Sequence, residues 1–221
     1  MAESIYGALP SDLGVVDISP KEMMFWLYCP IKMRNVAYKG IDDILRTTPA
    51  NLHQFAPIIE EALDVITEDW LTECYVYITA KTLWVTPDNP GNRPGWHSDG
   101  YLTDDLNFIW ADRNPTLFWC PDERVSFSPD HNASLAEMET AAEHDADNHV
   151  TFPDKTLLLL DQRVIHRVAT IEKAGMRTFV KISVSKHRYN LVGNSINHLL
   201  SPDWDYFDRN EERNHPVGGG S

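Results

Sequence analysis

KTLLLLDQRVIHRVATIEKAGMRTFVKISVS, residues 155–185, reads as three short strands separated by turns. Thr156–Leu160 is an aliphatic run of strand length. Arg163–Ala169 and Arg177–Ser185 are rich in β-branched residues. "TIEKAG" between the last two reads as a turn, which predicts antiparallel neighbours. The same character extends upstream. "ECYVYITAKTLWVTP" before and at Pro87 predicts one or two strands, and Leu106–Trp110 and Thr116–Trp119 predict two more. Many short strands with Gly, Pro and Asp turns point to a mainly β sandwich or barrel with flanking helices.

The flanks read differently. "SPKEMMFWLY" carries Ser19 as an N-cap, Pro20 at the first helical position and Glu22 three after the cap, which predicts a helix ended by Cys29-Pro30. In "TPANLHQFAPIIEEALDVITEDW", Leu52, Phe55, Ile59, Ala62, Leu63 and Ile66 recur at helical spacing, and Pro57 must kink or divide that helix. Residues 1–70 are thus expected to be helical. Residues 121–153 interrupt the strands with "SLAEMETAAEHDA", where Ser134 and Glu137 form a capping box. This insertion is expected as a lid or an exposed flap. Residues 186–215 are expected to pack back on the body, and "PVGGGS" at the end is set aside as tail or linker. The expectation is a single domain over 1–215, with its core at about 71–185.

The 221 residues are 43% hydrophobic, enough for a sizeable core. With 33 acidic and 19 basic residues, the formal charge is −14. That disfavours bulk nucleic-acid binding, which needs a basic face, but leaves room for a local basic pocket. Cys29, Cys74 and Cys120 form no CxxC pair and suit a reducing compartment. "MAESIYGALPSD" lacks a secretion-signal pattern, and the longest aliphatic run, Leu157–Leu160, is far too short to span a bilayer. A cytoplasmic protein with no membrane partner is expected.

The sharpest local feature is "GWHSDGY", in which His97 and Asp99 are two apart at the end of a loop. His166 follows on a predicted strand. Two imidazoles and one carboxylate make a facial triad that leaves positions open on Fe(II), and Zn(II) accepts the same donors. Arg177, eleven residues after His166, can grip a carboxylate bidentately. A metal with an Arg across the cavity is what a dicarboxylic keto acid needs. Arg163, Arg167 and Lys181 are rivals for that role: Arg163 falls near a turn, Arg167 faces away from His166, and Lys181 shares Arg177's face but lies four residues further along. His131, His144 and His149 read as surface groups of the insertion.

The ordered set "HSD" followed by "HRVATIEKAGMR" resembles the Fe(II)- and 2-oxoglutarate-dependent oxygenases over about residues 71–185. The resemblance implies a double-stranded β-helix, or jelly roll. It implies His97, Asp99 and His166 as iron ligands and Arg177 as the partner of the C5 carboxylate of 2-oxoglutarate. In similar enzymes an early-strand hydroxyl supports that carboxylate, which points to Tyr75 or Tyr77, with Thr79 on the same face. An Asn contacts the C1 carboxylate in some, which points to Asn107. Trp84, Trp96 and Arg93 are candidate substrate walls, whereas Trp110, Phe118 and Trp119 read as core. The implied cofactors are Fe(II), 2-oxoglutarate and O₂, and the implied reaction is hydroxylation or demethylation at a C–H bond. Small molecules, nucleotides and peptide side chains all offer one. Two other readings remain open: a cupin-type metal enzyme independent of 2-oxoglutarate, and a non-catalytic jelly-roll binding module.

Overall fold

A computed structural model describes residues 5–20 and 22–209; "PVGGGS" and residues 210–215 lie outside them. In chain order the elements are β1 (Ser11–Val15), β2 (Met24–Lys32), α1 (Ile41–Arg46), a 3-10 turn (Ala50–Phe55), α2 (Ala56–Asp64), α3 (Glu68–Thr72), β3 (Tyr75–Val85), β4 (His97–Ser98), β5 (Leu106–Ala111), β6 (Thr116–Trp119), α4 (His131–Glu143), β7 (His149–Thr151), β8 (Thr156–Leu160), β9 (Ile165–Val168) and β10 (Gly175–Ser185). Among the described residues the strands form two sheets. The six-stranded sheet runs β1-β8-β5-β10-β3-β2 and the four-stranded sheet runs β4-β9-β6-β7.

Strand alternation on β10 and β3 sorts their side chains between two environments. Val180, Ile182 and Val184, with Val76, Ile78 and Ala80, pack with Ile58, Ile59, Ala62 and Leu63 of α2 in one fully buried cluster. Each of the larger aliphatic side chains contributes about 1.5–3 kcal/mol. The opposite face of the same strands carries Thr79, Lys81, Phe179 and Lys181, which line a cavity. No helix among the described residues is long and apolar enough to cross a membrane.

Several expectations change. The described residues around Ser19 and Glu22 form no helix, and Met24–Lys32 is instead the edge strand β2. A helix that short is marginal alone, while pairing with β3 buries Cys29 and Ile31 completely. Pro30 is tolerated because an edge strand has one unpaired side. A register shift between Trp26 and Cys29 accompanies Tyr28 at φ 47, the signature of a bulge. With β1 also present, the first 70 residues complete the large sheet as well as supplying helices. Pro57 divides its helix: the 3-10 turn ends at Phe55 and Pro57 lies in the first turn of α2. "ECYVYITAKTLWVTP" gives one long strand, β3.

β9 and β10 are not neighbours. β9 pairs with β4 and β6, and β10 pairs with β3 and β5. "TIEKAG" therefore crosses between sheets rather than closing a hairpin. The cap of α4 is Asp130, whose carboxylate accepts from Ala133 N at 2.8 Å. Ser134 lies inside the helix, and Glu137 accepts from Ser128 N. The helix of the insertion packs on the body: Met138 and Ala142 are buried with Trp96, Trp119 and Ile165, against the four-stranded sheet. Beyond β10, Tyr189 stacks on Tyr77 at 4.3 Å and Trp204 meets Tyr75 edge-on at 5.5 Å.

Candidate metal centre

The short β4–β9 ladder sets the geometry of the site. His97 is directly opposite His166 in register, and their ring centroids are 4.6 Å apart. Asp99, two residues after His97, returns to the same side. One donor atom from each of the three lies within 4.8 Å of the others. The turn that follows needs glycine. Gly100 has φ 68, and a Cβ there would come within 2.9 Å of Thr103 Oγ1 and 3.0 Å of Asp105 Cβ. Ser98 pins the ladder from the other side by donating to the Gln162 carbonyl.

The outer hydrogen bonds orient the rings. His97 Nδ1 donates to the Gly95 carbonyl at 2.7 Å, and His166 Nδ1 lies 3.3 Å from the Val164 carbonyl. Each ring thus leaves Nε2 as its free lone pair, as metal-binding imidazoles require. His166 Nε2 is 3.6 Å from Asp99 Oδ2. Burial, with the neighbouring His166, lowers His97 to about 4, so its imidazole is neutral at pH 7. Burial pushes the Asp99 carboxyl up, but Lys181 and the two imidazoles outweigh it and hold it well below the usual carboxylate range. Two imidazole nitrogens and one carboxylate oxygen are a donor set that fits a divalent cation.

Lys181 is the residue that the sequence reading undervalued. Its Nζ is 2.9 Å from Asp99 Oδ2 and 3.1 Å from Tyr28 Oη. Its burial lowers its pKa, but Asp99 and Tyr28 raise it further, and the net shift is upward. The triad opens into a cavity of about 140 Å³, comparable with engineered cavities that take up one benzene-sized molecule. Both sheets supply its walls: Thr79, Lys81, Ile109, Phe179 and Lys181 from the larger, His166, Val168 and Thr116 from the smaller, with Tyr28 of β2 and Asn92 and Arg93 of the loop before β4. Strand alternation places Thr79 and Lys81 on one face with Tyr75 and Tyr77, and Lys181 on one face with Arg177. Tyr28 had no such signal, because β2 reads locally as a helix.

Of the other candidates, Tyr75, Tyr77, Asn107, Trp84, Trp96 and Arg177 fall outside the cavity wall, as does Arg163, whereas Arg167 is part of it. Tyr77 Oη donates to the His187 carbonyl and accepts from Tyr189 N, and Tyr75 Oη accepts from Arg188. Their face is the expected one, but they sit toward the end covered by the C-terminal segment. Asn107 is buried with its Oδ1 accepting from Ser183 at 2.7 Å. Trp96 is 1% exposed and anchors α4, its backbone N–H donating to Glu139 and its Nε1 to Glu143. Trp84 is 59% exposed. Arg93 does line the cavity. Arg177 is 3% exposed on the β10 face that also carries Phe179 and Lys181, but its Nε donates to the Arg113 and Asn114 carbonyls and its guanidinium lies 5.4 Å from the Phe179 ring. Its Nη2 is buried without a hydrogen-bond partner. Arg163 pairs with Asp161, and Arg167 lies over Trp96 and pairs with Glu143, away from His166 as alternation requires.

No family model matches the sequence, and no curated protein matches it. Among solved structures, the chain is similar to a full-length Neurospora crassa protein in complex with alpha-KG, at 12% identity and a TM-score of 0.29. The match covers 64% of this chain and 40% of that one. Likeness at that level supports no statement about fold or activity.

Proposed function

We propose that the chain is an Fe(II)- and 2-oxoglutarate-dependent oxygenase, built on a double-stranded β-helix core, that oxidises a C–H bond by hydroxylation or by demethylation. The observation that carries this reading is the convergence of His97, Asp99 and His166, with both Nδ1 atoms turned to backbone carbonyls. These three residues would hold the metal. With 2-oxoglutarate and O₂ bound there, Fe(II) would supply oxidative decarboxylation to succinate and CO₂ together with oxidation of the substrate.

The protein's own residues prepare that site. Lys181 fixes one Asp99 oxygen and balances its charge inside a buried wall. Arg177 is the proposed anchor for the C5 carboxylate. In support, its Nη2 is a buried donor without a partner, and such a group costs about 1–3 kcal/mol unless a ligand satisfies it. The cavity walls confine the reacting groups. The free thiols of Cys29, Cys74 and Cys120 support a cytoplasmic setting.

The test is stoichiometric. Fe(II)-reconstituted protein should release succinate from 2-oxoglutarate, and a substrate from a small-molecule, nucleotide and peptide panel should raise that rate. No iron-dependent conversion of 2-oxoglutarate would reject the reading. One observation favours a second reading, a metal enzyme independent of 2-oxoglutarate: Arg177 Nε is already bound to loop carbonyls off the cavity wall. Metal-dependent turnover of a substrate without 2-oxoglutarate would identify it.

A further inference from the structure

Four basic side chains belong to residues that line the cavity: Lys81, Arg93, Arg167 and Lys181. Two are neutralised within the fold. Lys181 is paired with Asp99 and Arg167 with Glu143. The other two are not. Among the described residues no carboxylate oxygen lies within 4.0 Å of Lys81 or Arg93. Lys81 Nζ reaches the Gly91 carbonyl at 3.3 Å and Asn92 Oδ1 at 3.4 Å, both long for charge-assisted bonds. Arg93 Nη1 is buried with no hydrogen-bond partner.

This is a costly arrangement in a chain that carries 33 acidic residues against 19 basic ones. Acid groups are abundant, yet among the described residues none pairs with either side chain, and partly buried cations without a counter-charge destabilise a fold. Burial, with Lys181 and Arg177 nearby, pushes Lys81 down to about 8. The charge count of an occupied site points the same way. Among the groups that line the cavity, a divalent cation and a dicarboxylate would cancel, Lys181 cancels Asp99 and Arg167 cancels Glu143, which leaves the charges of Lys81 and Arg93.

We propose that Lys81 and Arg93 form a subsite for an oxyanion on the substrate, a carboxylate or a phosphate, in the cavity that the triad shares. This rests on the oxygenase reading, in which Arg177 serves the cosubstrate. The Arg93 guanidinium offers a planar fork and the Lys81 ammonium a point charge beside it, a pairing that suits a small oxyanion. The substrate is then an anionic small molecule, not a neutral or cationic side chain.

Calorimetric titration of Zn(II)-loaded protein with inorganic phosphate and with acetate, with and without 2-oxoglutarate, tests this. At least one anion should bind saturably at one site per chain. Lys81→Gln and Arg93→Gln should each weaken it by about tenfold or more. Selectivity for phosphate identifies a phosphorylated substrate, and selectivity for acetate a carboxylic acid. The 2-oxoglutarate affinity of both variants, measured in chloride buffer, should change by less than about twofold. Unaltered melting temperatures, or the same result from Lys81→Met, show that the effect is local. No saturation by either anion through the millimolar range overturns the proposal. So does indifference to both substitutions. A tenfold loss of 2-oxoglutarate affinity also overturns it, because the pair would then anchor the cosubstrate. Failure of wild-type protein to bind 2-oxoglutarate instead strikes the oxygenase reading, and the titration without cosubstrate still decides the subsite.

Discussion

Lys181 Nζ lies 2.9 Å from Asp99 Oδ2, with the two side chains only 10% and 18% exposed. A lysine on the central strand of the large sheet thus neutralises a carboxylate on a loop leaving the small one. Breaking such a buried pair from one side leaves an uncompensated charge, at about 3–5 kcal/mol. Lys181→Met should lower the urea-derived stability of the metal-free protein by about that amount. Saturating Zn(II) should recover more stability in the variant than in the wild type, since the cation replaces the missing charge. A loss below about 1 kcal/mol, the scale of surface pairs, would mean that the pair does not hold in solution.

Arg177→Ala should weaken 2-oxoglutarate binding to metal-loaded protein by about 2–5 kcal/mol. Arg177→Lys should recover only part, because an ammonium lacks the planar fork. Isothermal titration reads both. Unchanged affinity in the alanine variant removes Arg177 from the role and leaves it a strut on the Arg113 and Asn114 carbonyls.

Trp96→Ala should cost about 3–5 kcal/mol of stability. The indole is 1% exposed, buried with Met138, Ala142 and Ile165, and its Nε1 donates to Glu143. Trp96→Phe should cost less, keeping most of the packing and losing the bond. Equal effects in urea unfolding would show that the hydrogen bond, not the packing, dominates.

Cys29 is fully buried, and burial pushes its thiol up to about 12 from 9.0. The folded state then holds a proton that the unfolded chain releases first. The contribution is complete below pH 9 and falls as pH rises toward 12, by at most about 1.4 kcal/mol per pH unit. Cys29→Ala should flatten the loss of stability between pH 9 and 10.5. At pH 8, alkylation of native protein should reach the partly exposed Cys120 before Cys29 or Cys74. A wild-type slope identical to that of Cys29→Ala would contradict the burial.

The strands most legible in the sequence were those with dense β-branched, aromatic or aliphatic runs. Thr116–Trp119 and Thr156–Leu160 form as read, and Leu106–Trp110 extends by one residue. Local signals failed where distant pairing decides. Ser19, Pro20 and Glu22 write a helix start, but β3 offers the following residues edge partners on both sides of a bulge. "TIEKAG" has turn composition whether it closes a hairpin or crosses between sheets, so the partners of β9 and β10 were not readable from it. The triad was legible because its residue types and spacing are chemically restrictive. Its counter-charge was not: Lys181 is one of several basic residues on a face, and only the third dimension brings Asp99 to it. The tyrosines missed the cavity for a related reason, since alternation fixes a face but not the position along it.

The most direct measurement is titration of the metal-free protein with Mn(II), followed by the loss of its free-ion electron paramagnetic resonance signal. One ion should bind per chain. His97→Ala, Asp99→Ala and His166→Ala should each weaken it by more than the roughly 10–100-fold typical of outer-shell partners. Binding that is absent in the wild type, or that survives all three substitutions unchanged, would contradict the account.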